Sequence, residues 1–249
     1  MSIKSKLLAG AATLALVGGV GAAGAMSASA ATPSCGPNCI DIFSREFGTH
    51  HHPNFVVDVW RQGAKVGQPM ILFRTSNTDP AEDFTVSFQG FTSDFFAAGL
   101  VSSAVALHYG CTTPPFSTCA AGVDDPALEI EYAPFGVDSG LCMGVFSTAF
   151  AGEKVNLEPC GVSSKTVWIV DTADSPVTLG HGYVPLINGS DTNFSHPFVL
   201  TYPKNGYPTD RPRPQLMVNN ITGFSNGVGP ILATVDDNQL WGADFGELR

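Results

Sequence analysis

Residues 141–170 read LCMGVFSTAFAGEKVNLEPCGVSSKTVWIV. Cys142 opens an apolar run, Gly152 breaks it, Val155 and Leu157 alternate with polar residues toward Cys160, and Trp168 sits in a third apolar run. Period-two alternation punctuated by glycine predicts three short strands joined by turns. The two cysteines predict a staple between the first strand and the end of the second.

The same order of parts occurs on either side, which marks an internal repeat of roughly 75 to 85 residues. Upstream, Phe55–Val59 precedes Gly67, then Met70–Phe73, then Phe84 at the tryptophan position. Downstream, Leu216–Asn220 precedes Gly229, then Pro230–Leu232, then Trp241. From glycine to aromatic the spacings are 17, 16 and 12 residues (67 to 84, 152 to 168, 229 to 241). The first two copies therefore share a register, and in the third it is open by two residues or more.

Residues 1–30 predict a secretory signal peptide: Lys4 and Lys6 ahead of the apolar run Leu7–Val20, then Ala28-Ser29-Ala30 as a small-residue cleavage site. No later stretch has the roughly 20 apolar residues that a membrane span requires. The expectation is a secreted, extracellular protein. The chain carries 12 basic and 22 acidic residues for a net charge of −10, and both lysines of the leader are lost on cleavage. Without a basic patch, nucleic acid and anionic membrane are excluded as partners.

Six cysteines in an exported chain are an even set, with 15 pairings formally open. Sequential pairing is expected: Cys35 with Cys39, Cys111 with Cys119, Cys142 with Cys160. A zinc site would need C-x2-C spacing, which is absent. No metal or other cofactor is expected.

Glycine and proline are frequent and no window of 12 residues shows capped helical periodicity, so the chain reads as all-β. Two long inserts, Ser87–Gly136 and Asp171–Arg213, each contain a similar tract, Ala106–Gly110 and Val199–Pro203, read as the fourth strand of its repeat. Three degenerate repeats of four strands with loop-rich insertions predict a β-trefoil. Its domain is expected at 54–249, with repeats at about 54–136, 137–213 and 214–249, preceded by an N-terminal segment, 31–53, holding the first cysteine pair.

These residues resemble the ricin-type lectin family. Leu141–Val145 matches its C-L-D-V-like first strand, Val155–Cys160 its V-Q-L-W-x-C-like second strand, and Thr166-Val167-Trp168 its Q-x-W third strand; Asn238-Gln239-Leu240-Trp241 matches the last motif in full. The resemblance implies a sugar site made of an aspartate on the first strand, an aromatic ring on the second and an asparagine before Q-x-W. Acidic and amide groups take vicinal hydroxyls while the ring covers the C–H face of the sugar.

Carried over residue by residue, the first repeat keeps Asp58 and has Phe73 for the ring, with Ala81 at the asparagine and Glu82 at the glutamine. The middle repeat has Gly144 and Glu158 in place of acid and ring. The last keeps Asn238 and Gln239, offers Asn219 for the aspartate, and Ala233 or Val235 for the ring. Phe84 and the tryptophans are expected chiefly in the core.

Other constellations read as structural. Gly223-Phe-Ser-Asn-Gly227 fits G-x-S-x-G, but no histidine follows it, and Asn-Gly suits a tight hairpin turn. His50, His51 and His52 read as a loop before Pro53, and Asp124-Asp125, Asp236-Asp237 and Asn188–Asn193 as turns lacking the spaced ligands of a calcium loop. No base, nucleophile and orienter stand in a catalytic order, so no enzyme is expected. The leading expectation is a non-catalytic, lectin-like protein that binds a glycan or polysaccharide. The alternative is a trefoil that binds an extracellular protein through the proline-rich loops 112–119 and 203–214.

Overall fold

A computed structural model describes residues 35–36, 38–49, 52–76, 78–111, 124–170, 182–223 and 235–245. The three repeats are visible as three hairpin positions. In the first, β4 (Phe55–Val59) pairs with β5 (Met70–Arg74); in the second, β8 (Leu141–Val145) pairs with β9 (Val155–Pro159); in the third, β13 (Met217–Asn220) stands at the place of the first strand. The second strand of the third repeat, at 230–232, lies outside the described residues.

The hairpins meet one another around a common axis. Gly67 N–H donates to Leu157 O at 2.8 Å, and Gly152 N–H donates to Val218 O at 2.9 Å. Leu216 N–H closes the triangle onto Met70 O at 2.9 Å. Gly67 and Gly152 hold φ of 77° and 87°, a left-handed conformation that costs glycine nothing, so their recurrence in sequence is a backbone requirement of the cap.

Below this cap the remaining strands form a ring. The third strands are β6 (Phe84–Phe91), β10 (Val167–Ile169) and β14 (Trp241–Phe245), each opening on or next to the repeat's aromatic. Each pairs with a fourth strand: β6 with β7 (Pro126–Tyr132), β10 with β11 (Ile187–Asn188), and β14 with β1 (Ile40–Ser44). Each fourth-strand segment also reaches the third strand of another repeat: β7 pairs β10, Ile40 pairs Phe84, and Val184, just ahead of β11, bridges Trp241. The sheet thus closes on itself through the Val184–Trp241 bridge. A closed barrel capped by hairpins with threefold pairing is a β-trefoil. A small ribbon of β2 (Gly48–Thr49) and β3 (His52–Pro53) links the first barrel strand to the first hairpin, and β12 (Phe198–Thr201) lies between β11 and β13.

The core sits on the axis. Phe84, Trp168 and Trp241 are fully buried in one cluster with Val57, Met70, Met143, Leu157, Leu200 and Val218. Trp168 Nε1 donates to Met143 O at 2.9 Å and Trp241 Nε1 to Leu200 O at 2.8 Å, so neither indole leaves a buried donor unmet. Phe84 fills the third position without a donor.

Three readings of the sequence change. Ala106–Gly110 is not a strand: Ala106–Tyr109 lies in helix α2 (Ser103–Tyr109) and Gly110 is its C-cap, while the N-terminus is capped by Ser102 Oγ accepting from Val105 N–H at 3.2 Å. Val105, Ala106 and Tyr109 are buried at helical spacing against α1 (Thr92–Ala97), itself fixed by Phe91 N–H donating to Asp94 Oδ2 at 2.9 Å. The fourth strand of the first repeat is Pro126–Tyr132 instead. Second, Ile40–Ser44, set apart in sequence as part of the 31–53 segment, is a barrel strand that completes the third repeat. Third, Val199–Pro203 does not supply the fourth strand of the second repeat: that strand is Ile187–Asn188, and Val199–Thr201 lies in β12 between β11 and β13. These elements belong to one compact unit, Thr32–Arg249.

Cys35 pairs with Cys39 and Cys142 with Cys160, as their order predicts. Cys111 is also disulfide-bonded, and Cys119 lies outside the described residues. The Cys142–Cys160 bridge spans 18 residues and ties the start of β8 to the end of β9. No helix among the described residues is long and apolar enough to cross a membrane.

Candidate functional site in the first repeat

The hairpin β4/β5 sorts its side chains by strand alternation. Phe55, Val57, Val59, Met70 and Leu72 enter the core, which sends Asp58 and Phe73 to the other face. The register sets Asp58 opposite Ile71 and Val56 opposite Phe73, so Asp58 and Phe73 are diagonal neighbours, about 7–8 Å apart at the backbone. The acid and the ring implied by the resemblance are therefore brought together.

Asp58 is only 4% exposed, and its carboxyl takes no hydrogen bond from any described residue. Its pKa is pushed up to about 8, first by burial and then by Asp79, with Arg213 opposing. Phe73 is half-buried, and the Arg213 guanidinium lies 4.0 Å over its ring centre. Arg213 comes from the second insert, where its Nε donates to Pro208 O at 3.2 Å, and it also stands 5.8 Å from the Trp60 ring. Trp60 takes Arg61 at 5.4 Å. Arg61 and Gln62 are held at φ of 57° and 55°, in the left-handed region that non-glycine residues rarely occupy. Gln68 Nε2 donates to Trp60 O and Gln62 Nε2 to Asp79 Oδ1 at 2.9 Å, which pin this loop beside the ring.

The Ala81-Glu82 positions serve the fold. Ala81 is buried and its N–H donates to Asp79 Oδ1 at 3.0 Å, while Glu82 accepts from Ser76 N–H at 2.9 and 3.1 Å. Burial is the largest cause raising Glu82 to about 8, offset by the Ser76 N–H and reinforced by Asp41, Asp79 and Asp58.

The middle repeat is closed. A Cβ built on Gly144 would stand 2.9 Å from both Lys165 O and Thr166 Cγ2, so no aspartate fits where the first repeat has Asp58. Glu158, at the ring position, is 9% exposed with a buried, unpartnered Oε1, and burial raises its pKa against the pull of Lys165.

In the last repeat Asn238 and Gln239 are buried and Asn219 is half-buried. Gln239 Oε1 accepts from Thr222 N–H at 2.8 Å and Thr222 Oγ1 at 2.9 Å, and its Nε2 donates to Asn220 O at 2.9 Å and Thr201 Oγ1 at 3.2 Å. Asn238 Nδ2 donates to Tyr202 O at 2.5 Å, and Asn219 Oδ1 accepts from Asn220 N–H at 3.1 Å. Val235 is buried, and Ala233 lies outside the described residues.

Sequence reasoning missed Trp60, Gln62, Asp79 and Arg213. Trp60 had a signal, an aromatic two residues after Asp58 at the strand end; Arg213 had none, since 140 residues separate it from Phe73. Asp124 accepts from Ser93 N–H at 3.1 Å, a loop-fixing role. The His50–His52 run and the Gly223–Gly227 motif fall largely outside the described residues.

No protein-family model matches the chain, and no curated protein matches it. Among solved structures it is similar to ThreeFoil, a designed 3-fold symmetric protein, with a TM-score of 0.48 at 13% identity, over 83% of this chain and 97% of that one. It is similar to the Rhizoctonia solani agglutinin at a TM-score of 0.45 and 15% identity, over 85% of this chain and 96% of that one. A third, from Caenorhabditis elegans and of unknown function, has a TM-score of 0.41 at 11% identity, over 86% of this chain and 96% of that one.

Proposed function

We propose that this is a secreted, non-catalytic carbohydrate-binding trefoil whose site is the side of the first hairpin that carries Asp58 and Phe73. The observation that carries the reading is Asp58: a residue 4% exposed whose carboxyl takes no hydrogen bond from the described residues, beside the Phe73 ring. Burying a polar group without a partner costs on the order of 1–3 kcal/mol, which a sugar hydroxyl bound there would recover. Near neutral pH the protonated Asp58 both donates and accepts, as vicinal hydroxyls require. Arg213 occupies one face of the Phe73 ring. Two disulfides among the described residues support an oxidising, extracellular setting.

Retention on immobilised polysaccharides tests this reading. Phe73→Ala is expected to abolish retention with folding intact, while Asn238→Ala lowers stability but leaves retention of the folded fraction unchanged. Equal retention by Phe73→Ala and the parent, or no polysaccharide bound by the parent, defeats it. The second reading, capture of an extracellular protein, is favoured by the helical insert, where Leu107 is 67% and Phe91 52% exposed.

A further inference from the structure

A second cleft opens at the other end of the same hairpin, three residues or about 10 Å from Asp58 along β4. It measures about 1100 Å³ and is lined by Arg45, Glu46 and Phe47 after β1, Asn54 and Phe55 at the start of β4, Arg74 and Thr75 at the end of β5, and Lys204, Gly206 and Tyr207 after β12. All three repeats contribute to it. Its frame is fixed by hydrogen bonds: Asn54 N–H donates to Phe47 O at 3.2 Å, Thr75 N–H to Asn54 O at 3.3 Å, and Tyr207 N–H to Asp210 Oδ2 at 2.6 Å.

Two features set the chemistry of its occupant. The first is a wall of rings: Phe47 meets Phe55, Tyr202 and Tyr207 edge to face at 5.8, 5.0 and 5.6 Å, and Tyr207 remains 52% exposed. The second is charge. Three cations and one acid line the cleft in a chain of net charge −10. Arg45 is paired with Asp237 at 3.4 Å and Lys204 with Asp236 at 2.5 Å, whereas Arg74 makes no ion pair among the described residues. The one acid, Glu46, is shifted toward its neutral form, first by burial and then by Asp237. An unpaired guanidinium is a planar fork that fits a carboxylate or a sulfate in bidentate fashion. The exposed Tyr207 ring offers an apolar platform to the C–H face of a sugar, and Asn54 lines the same cleft for hydroxyls.

We infer that this cleft is a separate binding site for an anionic glycan, in which Arg74 takes the carboxylate or sulfate group and Tyr207 takes the sugar ring. It stands apart from the Asp58 site, and either can hold without the other. The charge of the chain excludes general attraction of polyanions as the cause, since the surface as a whole repels them.

Calorimetric titration of the full mature chain with three polymers of one backbone tests it: dextran, carboxymethyl-dextran and dextran sulfate. The charged polymers are expected to bind and dextran not; whichever charged form binds more tightly identifies a uronate-like or a sulfated source. Arg74→Gln is expected to weaken that binding at least tenfold, Arg74→Lys to restore part of it, and Tyr207→Ala to weaken it severalfold, all with the parent's circular dichroism. Phe73→Ala is expected to leave it unchanged, which separates this site from the first. Unaltered affinity in Arg74→Gln, equal binding of neutral dextran, no binding of either charged dextran, or tighter binding of poly-glutamate would each overturn the inference.

Discussion

At the scale of single residues, the carboxyls beneath the first hairpin are the most telling. Asp58 titrates near 3.8 in an unfolded chain and about 8 in the folded one, and Glu82 likewise moves from 4.5 to about 8. Between these values the folded chain holds protons that the unfolded chain has released. Their contribution to stability is therefore complete below about pH 4 and is lost as pH rises through 8. The loss is large enough to appear as a fall in melting temperature across that range. Asp58→Asn keeps the shape and removes the titration. Its melting temperature is expected to gain on the parent's steadily between pH 5 and pH 9, as thermal scans at four pH values would register; parallel pH profiles would show that Asp58 is not buried as described. Asp58 was legible in sequence as the acid of a first strand. Its unusual pKa was not, because burial, Asp79 and Arg213 are all products of the tertiary fold.

At the scale of elements, the hairpins were legible and the inserts were not. Period-two alternation and the glycines at 67 and 152 locate β4, β5, β8 and β9 because those positions answer to local geometry: a turn that needs positive φ, and faces that need alternate burial. Ala106–Tyr109 misleads because four residues with two apolar side chains fit either period. What decides for helix is the Ser102 cap and burial against α1, neither of them a strand feature. The Asn238–Trp241 tract likewise reads as the entry to a third strand, and its side-chain roles are not legible in the sequence. Gln239 makes four hydrogen bonds that tie the turn before β14 to β12, β13 and Thr222, so Gln239→Ala leaves buried and half-buried partners unmet. A cost of about 2–4 kcal/mol is expected in urea unfolding, with glycan retention by the folded protein unchanged. A loss of retention at full stability would instead make Gln239 a ligand contact. The β8/β9 staple belongs to the same scale: replacing Cys142 and Cys160 together by alanine is expected to cost about 3 kcal/mol, because the bridge closes 18 residues in the unfolded chain.

At the scale of the whole molecule, closure of the barrel depends on its first strand meeting its last. Residues about 200 apart pair in register from Ile40 with Phe245 to Ser44 with Trp241, and Ile40 also pairs Phe84. No local pattern announces such a pairing, which is why a sequence reading starts the trefoil at residue 54. A chain that begins there lacks β1, and the loss has two parts. Ile40, Ile42 and Phe43, each at most 3% exposed, no longer fill the core, at about 1.5–3 kcal/mol per side chain. The backbones of β14 and β6 also lose their partner, so the closed sheet acquires two free edges. The sum reaches the 5–15 kcal/mol that holds a domain folded. The chain from residue 54 is thus expected to be unfolded or aggregated, whereas one from residue 35, which keeps β1 and the Cys35–Cys39 pair, is expected to melt cooperatively at the parent's temperature. Differential scanning calorimetry and size-exclusion chromatography of the two would decide. A cooperative transition in the shorter chain would mean that β6 and β14 close the barrel without β1.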